Sequence, residues 1–216
     1  TLGNLKFSEN TDENLNKINK KLKSELNKKK VWIASSTHWN EEIFCAKAHL
    51  ELKKRIKNLL TIIIPRHVHR ANNIAREIQS LNLNTAMHSV KQKSLEKIDI
   101  YIVDTFGETK KFHRIGNTVL LGGSIIKRGG QNPLEAARFG ARILHGPNTD
   151  NFKDVYKHLK YLNISKKINS SKQLASSIIF KKNKITALKI RNIGKKILKK
   201  NINQLDYQIK NVSKKT

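Results

Sequence analysis

The residues best suited to chemistry lie in four short polar stretches, each directly after an apolar run. The richest follows Asn117–Leu121. It breaks at Gly122-Gly123-Ser124, carries a second glycine pair at Gly129-Gly130, and restarts as a helix near Asn132-Pro133-Leu134-Glu135. Strand, glycine loop and helix start together present backbone N–H groups and the positive end of a helix dipole to an anion. Glycine admits a ligand to the backbone where a Cβ would clash. Asn132 suits the helix cap and Pro133 the first helical turn. Glu135 then stands at the mouth of the site, able to accept hydrogen bonds from sugar hydroxyls. An ordinary βα loop with a well-formed cap fits the same residues.

The second stretch is Ser35-Ser36-Thr37-His38, ahead of Glu41-Glu42. A hydroxyl residue before a glutamate resembles a capping box, and the same side chains could line a polar pocket. The third is Pro65-Arg66-His67-Val68-His69-Arg70. Arg66 is placed to fork onto a phosphate or a nucleobase. His67 and His69 lack a third ligand at metal-binding spacing, so no metal is expected. The fourth is Asp104-Thr105-Phe106-Gly107-Glu108. Asp104 or Thr105 can cap a helix, the N–H groups near Phe106 and Gly107 would face the same crevice as Arg66, and Glu108 could reach a ribose. The alternative here is a structural cap alone.

The elements that must position these stretches alternate. Strands are expected at Val31–Ser35, Leu59–Ile64, Thr85–His88, Ile98–Val103, Asn117–Leu121 and Arg142–His145. Helices are expected at Glu41–Lys57, Val68–Leu81, Gly107–Ile115, Pro133–Phe139 and Asn151–Leu162. Further helices follow around Ser171–Phe180, Lys184–Lys199 and Asn201–Val212. Leu15, Ile18, Leu22 and Leu26 fall at helical spacing within Ser8–Lys30. Short apolar strands alternating with helices predict an α/β, Rossmann-like parallel sheet with helices on both faces. Ligands of such sheets bind beyond the C-terminal ends of the strands, which is where the four polar stretches fall. Three units are expected: a lead-in segment and surface helix over 1–30, a Rossmann-like core over 31–165, and basic C-terminal helices over 166–216.

Composition narrows the function. Thirty-eight per cent apolar residues suffice for a core, and the single cysteine, Cys45, excludes an internal disulfide framework. No apolar run approaches the length that spans a bilayer. The net charge is +28, and between Lys166 and Thr216 fifteen Lys or Arg face one acid, Asp206. Such a charge fits a solvated surface in a Lys-, Asn- and Ile-rich protein, an anionic membrane surface or nucleic acid. There is no GxxxxGK[ST] loop, no GxGxxG after the first strand, no CxxC or HExxH pattern and no GxSxG elbow. P-loop ATPases, dinucleotide oxidoreductases, zinc hydrolases and α/β-hydrolases are therefore unsupported.

Taken together, the motifs resemble the C-terminal half of the 3-deoxy-D-manno-octulosonic acid (Kdo) transferases. The resemblance runs through Gly3-Asn4-Leu5-Lys6-Phe7, Ala34–His38 with Glu41-Glu42, Pro65-Arg66-His67, Asp104–Glu108, Gly122–Ser124 and Gly129–Glu135. It extends through Gly146-Pro147 and Asn151-Phe152. It implies the C-terminal lobe of a GT-B fold, an inverting glycosyltransferase, CMP-Kdo as donor, a lipid A precursor as acceptor in lipopolysaccharide biosynthesis, and no cofactor. It further implies CMP contacts at Pro65, Arg66, Phe106, Gly107, Glu108, Asn132, Pro133, Leu134 and Glu135, with Ser36, Thr37, His38, Gly123 and Ser124 as secondary donor-site candidates. Lys6 would stabilise the charge that develops on the leaving phosphate. This chain departs from the family pattern at Asn40 for Gly, Phe106 for Met, Gln131 for His and Ala136 for Pro.

The implied general base belongs to an N-terminal lobe outside this sequence. The chain alone is thus expected to hold the donor without turning over, and to need that lobe in cis or trans. The implied location is the cytoplasmic face of the inner membrane, against an anionic surface, or soluble in the cytoplasm if the chain is expressed alone. No nucleic acid is expected as partner. The competing readings are a basic nucleic-acid-binding α/β module and a non-catalytic remnant of the transferase.

Overall fold

The computed structural model describes residues 18–182 and, beyond them, 185, 187–193, 195, 196, 199 and 203. Seven parallel strands form one sheet. They are β1 (Lys30–Thr37), β2 (Leu59–Pro65), β3 (Thr85–Met87), β4 (Ile100–Ile102), β5 (Thr118–Leu121), β6 (Arg142–His145) and β7 (Ser165–Lys167). Their order across the sheet is β3-β4-β2-β1-β5-β6-β7. With the edge strand β3 set aside, this is the doubly wound order of a Rossmann sheet, which reverses direction at β1. The parallel sheet predicted from the alternating pattern is therefore the one observed.

Both faces of the sheet are covered, which is why β2 reads as a run of apolar residues without alternation and is buried throughout. On one face Ile33, Ile62, Tyr101, Val119 and Ile143 pack with Phe112, Leu134, Val155 and Leu159. These come from α4 (Thr109–His113), α5 (Leu134–Arg138) and α6 (Lys153–Tyr161), and Leu26 of α1 (Lys20–Asn27) joins the same cluster. On the other face Trp32, Ala34, Ile63, Ile100, Leu120 and Leu144 pack with Ala46, Leu52, Ile74, Ile78 and Leu174. Those belong to α2 (Glu41–Lys53), α3 (Ala71–Gln79) and α7 (Ser171–Ser177).

Two expectations change. The helix expected from Val68 begins as a single 3-10 turn, Val68–Arg70, before α3 starts at Ala71. The expected boundary between residues 165 and 166 falls inside β7, which extends the sheet by pairing with β6. Strand β7 escapes the sequence because only Ser165 of its three residues is buried and two of the three are lysines. Helix α7 then returns onto α2, so the sheet and its cover continue past the expected core. The last helix, expected at Asn201–Val212, lies outside the described residues apart from Asn203.

Candidate functional site

The ends of β1, β2 and the β4–α4 connection meet around a cavity of about 380 Å³ at the C-terminal edge of the sheet. It is lined by Ser36, Pro65, Arg66, His67, Phe106 and Gly107, with Ile64, Val68, Thr105 and Thr109 completing the wall. Four residues singled out as nucleotide contacts, Pro65, Arg66, Phe106 and Gly107, thus share one wall, although β2 and β4 lie far apart in sequence. The volume falls within the range usual for small-molecule pockets.

Backbone irregularity shapes this cavity. The β1–β2 register slips between Ser35 and Thr37, and the extra residue, Ser36, adopts a left-handed φ of 55°. A bulge of this kind re-aims a side chain at the end of a strand, and non-glycine residues in that conformation concentrate at functional sites. The neighbouring strand leaves no room for relaxation. A Cβ on Gly122, at the end of β5, would lie 2.2 Å from the Ser36 carbonyl oxygen.

Two arginines follow β2, and they have different tasks. Arg70 forks onto Glu42, with Nη1 to Oε1 at 2.9 Å and Nη2 to Oε2 at 3.3 Å. Glu42 has no side-chain exposure. Burial pushes its carboxyl above the ordinary range, and Arg70 only partly offsets this. Arg66 is exposed, forms no ion pair among the described residues, and lines the cavity. Its guanidinium is therefore the one available to an incoming phosphate.

The imidazoles of His38, His67 and His69 form a row, with ring centroids 5.8 and 5.7 Å apart. Burial lowers the affinity of His38 for a proton. The neighbouring His67, Arg128 and Arg66 reinforce this against the opposing Glu41. His38 Nε2 is buried without a hydrogen-bond partner. Among the described residues no group of three or more His, Cys, Asp or Glu is placed to hold a metal ion.

The glycine loop behaves differently from an anion cradle. Its N–H groups donate inward, to a buried side chain of the protein itself. Glu41 Oε2 accepts from Gly123 N at 2.7 Å and His38 N at 3.0 Å, and Oε1 accepts from Ser124 N at 3.1 Å and Ile125 N at 2.9 Å. Gly122 N donates to Ser35 O, and Gly130 N to Gly123 O. Gly123 and Ser124 are thus structural partners of Glu41. The capping-box reading of Ser36–Glu42 holds only in its glutamate half. Asn40, not a hydroxyl residue, caps α2, with φ of 70° and no side-chain cap bond.

The remaining candidates divide. Asn132 Oδ1 accepts from Leu134 N at 3.0 Å just ahead of α5, whose cap position is Pro133. Pro133 and Leu134 are buried beneath it. Glu108 does not line the cavity. Its carboxylate lies 2.9 Å from Lys111 Nζ and 3.7 Å from His88 Nε2. Thr37 is buried. Lys6 lies outside the described residues. Glu135 Oε1 sits 2.9 Å from His113 Nδ1, a contact the sequence did not reveal. Burial pushes the Glu135 carboxyl up, but His113, Lys110 and Arg138 outweigh it and hold the group below its ordinary value.

Comparison with known proteins decides the ancestry of this arrangement. The chain is 31% identical over 170 residues to the 3-deoxy-D-manno-octulosonic acid transferase of Haemophilus influenzae, covering 78% of this chain and 40% of that protein. It is 32% identical over 199 residues to the enzyme of the same name from Rickettsia prowazekii, covering 92% of this chain and 43% of the relative.

This chain is a relative of the Kdo transferases.

It spans less than half the length of these relatives. No family model matches. The fold agrees with the crystal structure of the C-terminal CMP-Kdo binding domain of WaaA from Acinetobacter baumannii, with a TM-score of 0.67. The sequences are 23% identical, and the match covers 80% of this chain and 91% of that one. The Rossmann-like lobe expected from the Kdo-transferase resemblance is therefore the fold observed.

Proposed function

We propose that this chain is the donor-binding half of a Kdo transferase and that the 380 Å³ cavity at the sheet edge receives the cytidine monophosphate part of CMP-Kdo. One observation carries the reading. The cavity joins an unpaired Arg66 to the Phe106-Gly107 backbone at the C-terminal ends of parallel strands, in a chain related to Kdo transferases. Arg66 forks onto the phosphate. Pro65 and Phe106 provide apolar walls for the base. Gly107, with φ of 78° and open space where its Cβ would stand, leaves the backbone approachable.

In the transfer, the bond between Kdo and the phosphate breaks and negative charge accumulates on the departing CMP. Fixed cations lower that barrier. Arg66 supplies one, and Lys6 is proposed as the second. The acceptor is a lipid A precursor, and its deprotonation falls to a carboxylate outside this sequence. The basic surface is proposed to lie against the anionic cytoplasmic face of the inner membrane. No helix among the described residues is long and apolar enough to cross it.

The test is calorimetry of the chain with CMP, UMP and a short DNA duplex. The expected result is selective CMP binding, weakened at least about tenfold in Arg66→Ala through loss of a charge-assisted contact. Absence of CMP heat, with duplex binding that fades steeply with salt, would establish the nucleic-acid reading instead.

A further inference from the structure

We propose that His113 is a positioning residue for the nucleotide site, fixing Glu135 through a buried relay anchored on Ser35. This rests on the cavity being the nucleotide pocket. Ser35 Oγ lies 2.9 Å from His113 Nε2, and His113 Nδ1 lies 2.9 Å from Glu135 Oε1. Three elements otherwise separate in sequence meet in this line: the end of β1, the last turn of α4 and the first turn of α5. Ser35 has no exposure and His113 has 2%.

Hydroxyl, imidazole and carboxylate in this order match a hydrolytic triad, but burial of Ser35 keeps any substrate carbonyl from Oγ. The relay works from the other end. Glu135 is its exposed member, with 22% of its side chain open. Oε1 is buried and faces His113, and Oε2 takes no hydrogen bond among the described residues.

A carboxylate oxygen accepts, so in the tautomer that carries the ring proton on Nδ1 that proton faces Glu135 and Nε2 accepts from the Ser35 hydroxyl. At 2.9 Å, His113 Nδ1 and Glu135 Oε1 are in contact without forming a well-aligned hydrogen bond. With Oε1 held by His113, Oε2 is left to accept from a ligand hydroxyl or amino group. The anchor also adjoins the pocket. Ser35 precedes Ser36 of the cavity wall, and Thr109 of that wall opens the helix carrying His113.

The experiment is CMP calorimetry on the wild-type chain and on His113→Phe, His113→Asn, Glu135→Gln and His113→Phe/Glu135→Gln, each checked for folding by thermal melting. Asn keeps a donor near the position of Nδ1, while Phe keeps volume without a donor. The expected pattern is a roughly tenfold weaker affinity in His113→Phe, recovery to within about threefold in His113→Asn, and a double variant no weaker than Glu135→Gln alone, because coupled residues are non-additive. Wild-type CMP binding with unchanged affinity in a folded His113→Phe overturns this inference alone. Independent, additive losses in the double variant also overturn it. Failure of the wild-type chain to bind CMP overturns the nucleotide-pocket reading, and the inference with it.

Discussion

Glu41 Oε2 accepts the Gly123 N–H at 2.7 Å, tying the start of α2 to the loop after β5. The same carboxylate accepts three further N–H groups, from His38, Ser124 and Ile125. A loop with the composition of an anion cradle thus carries its anion within the protein. The consequence is measurable. Glu41→Ala leaves several buried donors unpaired, each costing about 1–3 kcal/mol. Chemical denaturation should show a loss of at least about 3 kcal/mol, with a smaller loss in Glu41→Gln. Full stability in Glu41→Ala would mean that water satisfies the loop and that the clamp is incidental.

The two arginines after β2 should separate binding from folding. Arg66→Ala removes an exposed cation that is unpaired among the described residues, and its melting temperature should stay near wild type while CMP affinity drops. Arg70→Ala leaves the fully buried Glu42 carboxylate without its fork, a change that costs about 3–5 kcal/mol. Melting curves and calorimetry on both variants check this. The opposite assignment would be shown by a destabilised Arg66→Ala.

Gly122 tests the close approach of β5 to the bulge in β1. An added Cβ meets the backbone of Ser36 and Thr37, at 2.2 Å from Ser36 O and 2.7 Å from Thr37 Cα. Backbone atoms of a central strand cannot move aside as a flexible side chain would. Gly122→Ala is expected to cost about 3 kcal/mol, toward the upper end for overpacking, and to weaken CMP binding by distorting Ser36. Urea midpoints for this variant and for Gly107→Ala, whose Cβ position is open but whose φ is 78°, should rank Gly122 as the more damaging.

Acidification should destabilise the fold below neutrality. Burial lowers the proton affinity of His38, His88 and His145. A histidine held low in the folded state contributes stability that is fully present above its unfolded value near 6.5 and is lost as pH falls through the folded one. Glu42, pushed up by burial, acts in the opposite sense, losing its contribution as pH rises. Melting temperatures should therefore fall by on the order of a few degrees between pH 7.5 and 5.5. Substitution of His145, whose Nδ1 lies 2.7 Å from Gly146 O, by Gln should flatten the slope. An unchanged slope would remove His145 from the account.

The fold was legible because its signal is local. Leu59–Ile64 has no alternation and is short and rich in β-branched residues, the pattern of a strand buried on both faces. Each strand-end stretch also announces its position by the polar residues that follow an apolar run. Pro65, Arg66, Phe106 and Gly107, proposed as nucleotide contacts, follow strand ends in this way and share the cavity. Glu108 does not line it, and its carboxylate lies beside Lys111 and His88, the latter a neighbour that no local pattern names. The two lysines of β7 conceal an edge strand that ordinary patterning cannot detect.

By itself, the sequence determined six of the seven strands, the sheet edge at which ligands of such sheets bind and the resemblance to Kdo transferases. Tertiary structure alone decided which polar groups remain for a ligand. Gly123 pairs with a carboxylate 82 positions away, and Ser35 with an imidazole 78 positions away. Buried donors and acceptors must be satisfied, but no local pattern names the distant residue that satisfies them. The loop richest in glycine is therefore closed internally, and Arg66 lines the cavity with no ion pair among the described residues, while Arg70 pairs with a buried glutamate.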